Sequence, residues 1–259
     1  METLTIIIIS VCGLVWGSFL NVVIYRLPRD LSLVRPPSTC PGCGARIKPY
    51  DNIPVISFLI LRGHCRNCGQ GISPIYPLVE ALTAAGFVLG YFANGHELTL
   101  AFFAGCVFTS ALIVLGFIDY FHQVLPDAIT MPGFVLALAY SFFRDDLSFR
   151  GALIGAAAGS GFLLIVYGAY LLIRKKEGLG MGDVSMMLML GAYLGLARTG
   201  LTLILGSFAG AAVGVFFILR RKKDLQFALP FGTFLAPAAF VSALWGEKII
   251  GAYLSLFRR

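Results

Sequence analysis

Long apolar runs separated by short polar stretches pattern this chain from its third residue onward. Crossing about 30 Å of hydrocarbon takes roughly 20 apolar residues, fewer where helix ends are buried in protein. On that measure eight runs predict helices, near 3–25, 76–93, 98–118, 128–143, 151–173, 183–197, 199–219 and 228–256. The sixth run is short, and "WGEK" at 245–248 interrupts the eighth. Seven spans plus a surface helix is therefore the alternative count. One sizeable polar segment remains, so the expected organisation is a first helix (1–25), a loop domain (26–75) and a helical body (76–259). No internal repeat or low-complexity tract is visible.

Composition strengthens this reading. The 259 residues are 58% hydrophobic and 13% charged, with a mean hydropathy of +0.85. Soluble domains carry roughly 25% charged residues, so the class is an all-α polytopic membrane protein. The net charge of +7 would suit nucleic acid, but its distribution argues otherwise. Basic residues gather in 26–75, at Arg174 to Lys176 and at Arg220 to Lys223, which are alternate connections on one side. Lys and Arg concentrate in cytoplasmic loops, which predicts an N-terminus outside and no nucleic-acid partner, membrane lipid being the neighbour. The first run has no basic residue before it, and arginines follow it, which fits a retained helix better than a cleaved signal peptide.

The segment 26–75 contains "CPGCG" at 40–44 and "CRNCG" at 65–69. Two C-x-x-C-G turns bring Cys40, Cys43, Cys65 and Cys68 where four thiolates can close a tetrahedron around zinc, and the glycines allow the tight backbone. The 21 residues between Cys43 and Cys65 lie just beyond the usual zinc-ribbon spacing of roughly 15–20. A cytoplasmic location disfavours disulfides. Four cysteine ligands leave no open position, so the metal is expected to be structural and to staple a segment with little core. His64 is a competing ligand of lower standing, and Cys12 and Cys106 read as packing residues inside spans.

Charges at the edges of spans are few and informative. Asp119 closes the third run in "LIVLGFIDYFHQVLPD", and Asp183 opens the sixth in "GLGMGDV". With the N-terminus outside, both fall at the cytoplasmic end of their helices. Two carboxylates brought together can share a proton: one takes a proton from a water, the other donates to a carbonyl under attack. Gly178, Gly180 and Gly182 would let a peptide backbone approach Asp183. The bland alternative is a helix cap, which suits Asp183 and still more Asp127, but not Asp119 at a helix C-terminus. Glu80 divides evenly between substrate approach and a bond to a neighbouring helix; Asn21 reads as structural, and Met181, Met186, Met187 and Met189 as packing.

Taken together, "GSFLNVVIYRLP" at 17–28, the two cysteine knuckles, "ISPIYPLVEALTA" at 72–84, "IDYFHQVLPD" at 118–127 and "GMGDV" at 180–184 carry a resemblance. The chain resembles the type IV prepilin peptidases, membrane-embedded aspartic proteases of the G-x-G-D type. That resemblance implies that Asp119 and Asp183 are the catalytic pair. It also implies that a short basic leader ending in glycine is cut from prepilins and pseudopilins at the inner face of the bacterial cytoplasmic membrane. It further implies methylation of the new N-terminus from S-adenosylmethionine, for which the sequence itself shows no motif. Members often carry Lys two residues after the second aspartate, where this chain has Ser185. A proton- or metal-coupled transporter is the alternative class, motivated by Asp119, Asp183 and Glu80 near membrane regions. The oligomeric state is left open.

Overall fold

The computed structural model describes residues 1–175, 180–221 and 230–256. Its elements are α1 (Glu2–Arg26), α2 (Ile56–Ile60), α3 (Ile75–Ala93), α4 (Leu100–His122), α5 (Asp127–Tyr140), α6 (Phe149–Arg174), α7 (Met181–Arg221) and α8 (Gly232–Leu256). Among the described residues there are no strands, only isolated bridges pairing Thr39 with Arg46 and His64 with Gly71. Among the described residues, six helices are long and apolar enough to cross a membrane: α1, α3, α4, α6, α7 and α8. The all-helical polytopic class holds, with the cysteine segment between the first two long helices.

Three runs differ in detail from their sequence reading. The run near 128–143 is a helix of 14 residues with Pro132 inside it, shorter than a full span. The runs at 183–197 and 199–219 form one element, α7, broken at Gly195 (φ 73°, ψ 172°) and not at the charged Arg198. Glycine alone adopts that φ without strain, whereas Arg198 is accommodated by ion pairs with Asp146 and Glu247. The "WGEK" interruption does not end α8 either. Glu247 is the partner of Arg198, and Gly246 lies 3.1 Å from the Arg198 stem at its absent Cβ.

The chain forms two units, Met1–Val114 and Leu115–Arg259, with the division inside α4. In the first, small residues draw α1 and α3 together. A Cβ on Gly13 would meet the Ala84 backbone at 2.6 Å, and one on Gly17 would meet the Cα of Glu80 at 2.6 Å. Such close approach is how membrane helices gain dispersion contact where lipid removes the hydrophobic driving force. Asn21 donates to the Tyr76 carbonyl (3.0 Å) and Trp16 to the Ser110 hydroxyl (3.0 Å), so both polar side chains are spent inside the unit.

In the second unit α7 is central and packs against α5, α6 and α8. Met186, Met187, Met189 and Leu190 are at most 1% exposed and form its core, so three of the four methionines expected to pack do so. Met181 stands outside that core, exposed at the first position of α7. Gly155 and Gly191 meet backbone to backbone, which joins α6 to α7.

Candidate active site and metal centre

Among the described residues, each unit carries a cluster of chemically capable side chains. In the second unit, Asp119 stands in the last turn of α4 and Asp183 in the first turn of α7, only 4% and 7% exposed. The Asp119 position is electrostatically awkward, because the C-terminal end of a helix repels negative charge. The start of α8 resolves it. The Thr233 backbone N–H donates to Asp119 Oδ2 (2.7 Å), and the Thr233 hydroxyl lies 3.1 Å from the same oxygen and 3.2 Å from the Gly116 carbonyl. A helix N-terminus presents unpaired N–H groups and a positive dipole end, and here it is aimed at a buried acid.

Asp183 is held differently. The Gly180 N–H donates to its Oδ2 (3.2 Å), while the Asp183 N–H donates to the Gly180 carbonyl (3.1 Å). This is a helix-capping exchange, so the bland reading of Asp183 accounts for one of its oxygens. It does not account for the other: Asp183 Oδ1 is buried and has no hydrogen-bond partner among the described residues. A buried polar atom without a partner costs about 1–3 kcal/mol, so an oxygen kept in this state needs a reason outside folding.

The two acids converge. The Gly232 N–H lies close to both carboxyl groups without making a hydrogen bond to Asp183 Oδ1, and the charge of Asp119 acts on Asp183. Leu125 fills the ground beneath them, meeting the absent Cβ of Gly232 at 3.1 Å and that of Gly182 at 2.8 Å. Gly182 is therefore required by packing on Leu125. Gly180 is the exposed glycine beside Asp183, and Gly178 lies outside the described residues. Asp127 sits in the first turn of α5, where its Oδ1 accepts from Thr130 (3.3 Å). Sequence reasoning missed Gly232, Thr233 and Leu125. The only signal available for the first two was "PFGT" opening an apolar run, a break that also reads as an ordinary helix start.

The first unit holds the cysteines. The Sγ atoms of Cys40, Cys43, Cys65 and Cys68 all lie within 4.8 Å of one another, with Cys40 and Cys68 at 3.8 Å. A tetrahedron with metal–sulfur bonds of about 2.3 Å has edges of about 3.8 Å, so the group can hold a thiolate-bound ion. Both knuckles use the same backbone scheme. Gly44 N–H donates to Cys40 O and Cys40 N–H to Ala45 O; Gly69 N–H donates to Cys65 O and Cys65 N–H to Gln70 O. Gly44 (φ 68°) and Gly69 (φ 70°) take the left-handed turn that this scheme needs. Gln70 of one knuckle lies over Gly42 of the other. Asn67 donates to Cys43 Sγ (3.5 Å), which draws that thiol down to about 6. His64 pairs its Nδ1 with the Arg62 carbonyl (2.6 Å), and it is not part of the four-thiol group.

Glu80 is also buried (7% exposed), but fully engaged. Its Oε2 accepts from the Val55 N–H (2.8 Å), and Ser18 bonds the same carboxyl group. Its environment is that of a tether between α3 and the loop segment.

Two family models match successive parts of the chain. A family described as bacterial peptidase A24 N-terminal domain matches residues 11–93, and the type IV leader peptidase family matches residues 106–215. The prepilin leader peptidase/N-methyltransferase of Pseudomonas putida is 38% identical over 272 residues, covering 95% of this chain and 93% of the relative. The proteins of that name from Pseudomonas aeruginosa (37% over 265 residues, 93% and 91% covered) and Aeromonas hydrophila (37% over 273 residues, 95% and 92% covered) are similar to the same extent. No solved structure matches the chain.

Proposed function

The chain belongs to the type IV leader peptidase family, and from that premise we propose that Asp119 and Asp183 are its catalytic pair. The reaction is cleavage of the short basic leader of prepilins and pseudopilins after glycine, at the cytoplasmic face of the bacterial inner membrane. The observation that carries this is the convergence of two buried carboxyl groups on the N-terminus of α8, with one carboxyl oxygen left without a partner. The comparisons lend the transporter alternative no support.

The chemistry needs only these two groups and a water. One carboxylate takes a proton from the water as its oxygen bonds to the scissile carbonyl carbon, and the other carboxyl gives its proton to the carbonyl oxygen. The tetrahedral diol then collapses: the C–N bond breaks, the amine leaves with a proton from the pair, and the leader keeps its carboxyl group. Because the Thr233 N–H occupies Asp119 Oδ2, that oxygen serves as the anchored one, and Asp119 exchanges its proton through Oδ1. On Asp183, Oδ2 is bound to Gly180, and Oδ1 meets the water or substrate. The exposed Gly180 gives the substrate backbone its approach.

The four cysteines hold zinc, which serves as a structural cross-link, since four thiolates leave no open coordination position. The relatives' name includes N-methyltransferase; in our reading the acceptor is the new N-terminus and the donor is S-adenosylmethionine. Mass spectrometry of the N-terminus of a co-expressed prepilin reports cleavage position and methylation together. Wild-type protein should yield a leaderless, methylated terminus, and Asp119→Asn or Asp183→Asn an intact leader. Normal processing by either variant would refute the catalytic assignment.

A further inference from the structure

The loop between α1 and α3 was expected to be a water-exposed domain, yet its short helix α2 shows an apolar face to the outside. Ile53, Ile56, Leu59 and Ile60 are 44%, 53%, 66% and 69% exposed. Four large aliphatic side chains within eight residues are unusual on an aqueous surface and mark contact with something apolar. The polar groups of the same segment are turned inward. Ser57 is buried, accepting from the Ile53 N–H (2.9 Å) and donating to the Tyr50 carbonyl (2.9 Å).

The attachment of α2 to α3 says what that apolar neighbour is. Val55, which precedes α2, gives its N–H to Glu80 Oε2, and Glu80 is the sixth residue of α3. At 1.5 Å per residue, Glu80 lies ~7.5 Å along the axis from Ile75. With only 19 residues, α3 is about 28 Å long, so nearly all of it is needed to cross about 30 Å of hydrocarbon. Val55 is therefore fastened well inside the end of a membrane-crossing helix. Amphipathic surface helices bury their apolar face by about 5–10 Å at the headgroup–acyl boundary, the same depth. Val55 reaches this position with φ 59°, a conformation disfavoured for a β-branched residue, which the Glu80 bond holds in place. Lys48 and Arg62, both exposed on either side of the segment, suit the headgroup layer.

We propose that residues 53–60 dip into the headgroup–acyl boundary of the bilayer, with Glu80 as the anchor, so that the loop domain is moored to lipid between its two flanking spans. The second knuckle begins directly after this mooring. Gly63 N–H bonds the Phe58 carbonyl and His64 N–H the Leu61 carbonyl, so α2 sets the direction in which Cys65 leaves the membrane surface.

The test places tryptophan at Leu59 in a Trp16→Phe, Trp245→Phe background, with the full chain in proteoliposomes of phosphatidylcholine brominated at shallow or deep acyl positions. Shallow bromine should quench Leu59→Trp at least twofold more than deep bromine, and aqueous iodide should reach it poorly. Glu80→Ala should lose at least half of the lipid quenching. Ile60→Trp supplies a second probe should the first variant fail to fold. Full iodide quenching without bromolipid quenching would overturn the proposal. So would emission that responds only to an added prepilin peptide, which would make the face a protein-docking site. Unchanged lipid quenching in Glu80→Ala would overturn the anchoring role of Glu80.

Discussion

Glu80 in the first unit and Asp183 in the second are both acids, both 7% exposed and both near the end of an apolar helix, yet their surroundings differ in kind. Glu80 is bonded by a backbone N–H and a serine, and the residue it holds is bent into a conformation it would not choose alone. Asp183 uses one oxygen to close its own helix start and leaves the other buried without a partner, beside a second acid. Folding explains every bond of the first carboxylate but not the second. Burial of an acid in a membrane helix is therefore not in itself a mark of catalysis; an incomplete set of partners is the sharper sign.

The largest effect should come from removing the incomplete acid. Asp183→Asn or Asp119→Asn should slow prepilin cleavage by about 1000-fold or more each, and the double variant should be scarcely worse, because the two act as a unit. Thermal stability of Asp183→Asn should stay near wild type, since the amide can still accept from Gly180. Glu80→Gln should show the reverse: cleavage within a few-fold of wild type in detergent, with increased protease sensitivity of the loop 26–75. A Glu80→Gln protein as inactive as Asp183→Asn would dissolve the distinction.

How far the sequence carried this distinction depends on what kind of signal each group leaves. The convergence of Asp119 and Asp183 was legible because charge asymmetry predicts an orientation of the helices that puts both acids at one depth. The cysteine group was legible because its spacing is local. Glu80 was not resolvable, because its partner is a backbone N–H whose position depends on the fold of the loop, and any residue at 55 other than proline would supply it. Thr233 was invisible for a related reason: its N–H matters more than its side chain, and it lies 114 residues from its acceptor. The break at Gly195 was misplaced by three residues because Arg198 looked costly in an apolar run, and its two acidic partners are distant in sequence, Asp146 in the connection before α6 and Glu247 within α8.

A second way to test the division is to strip the metal. Zinc should be found by elemental analysis at one ion per chain and be lost from Cys65→Ser. Loss should expose the loop to protease while leaving measurable cleavage of a prepilin by the second unit. Complete loss of cleavage on mild metal removal would mean that the first unit contributes chemistry and not only architecture. Acidification should release the ion as well, because metal and protons compete for the same thiolates. The Asn67 amide donates to Cys43 Sγ (3.5 Å) and so favours the thiolate form that a metal binds. Asn67→Ala should therefore shift release, followed with a chromogenic chelator, to higher pH.

A finer effect is expected at Thr233. Thr233→Val removes the hydroxyl but keeps the N–H bond to Asp119, so one of two tethers is lost. A hydrogen bond to a charged group contributes about 1.5–3 kcal/mol, which corresponds to roughly 10- to 100-fold in kcat if the tether matters to the reacting geometry. KM should change little, and Thr233→Ser should restore the rate. A Thr233→Val protein as fast as wild type would show that the hydroxyl merely fills space.

The smallest effect belongs to a third acid, exposed and over-provided with partners, which sets the other end of the scale. Asp146 accepts from Arg144 Nε (2.6 Å) and Arg198 Nη2 (3.1 Å), while Arg144 also donates to the Tyr193 carbonyl (2.8 Å), just before the Gly195 break. The Arg144 hydrogen bonds hold the Asp146 carboxyl below the usual carboxylate range. A depressed folded-state value means stabilisation that is present above about pH 4 and disappears as pH falls through that lowered value. With the Asp146 side chain 44% exposed, solvent screens most of the pair, so Asp146→Asn should cost under about 1 kcal/mol at pH 7. The corresponding drop in melting temperature should be no more than about 4 °C in a chain of this size, shrinking further in high salt and at pH 3. Cleavage should be unaffected. A loss of cleavage in Asp146→Asn comparable to that in Asp183→Asn would show that completeness of partners does not separate structural from catalytic acids in this protein.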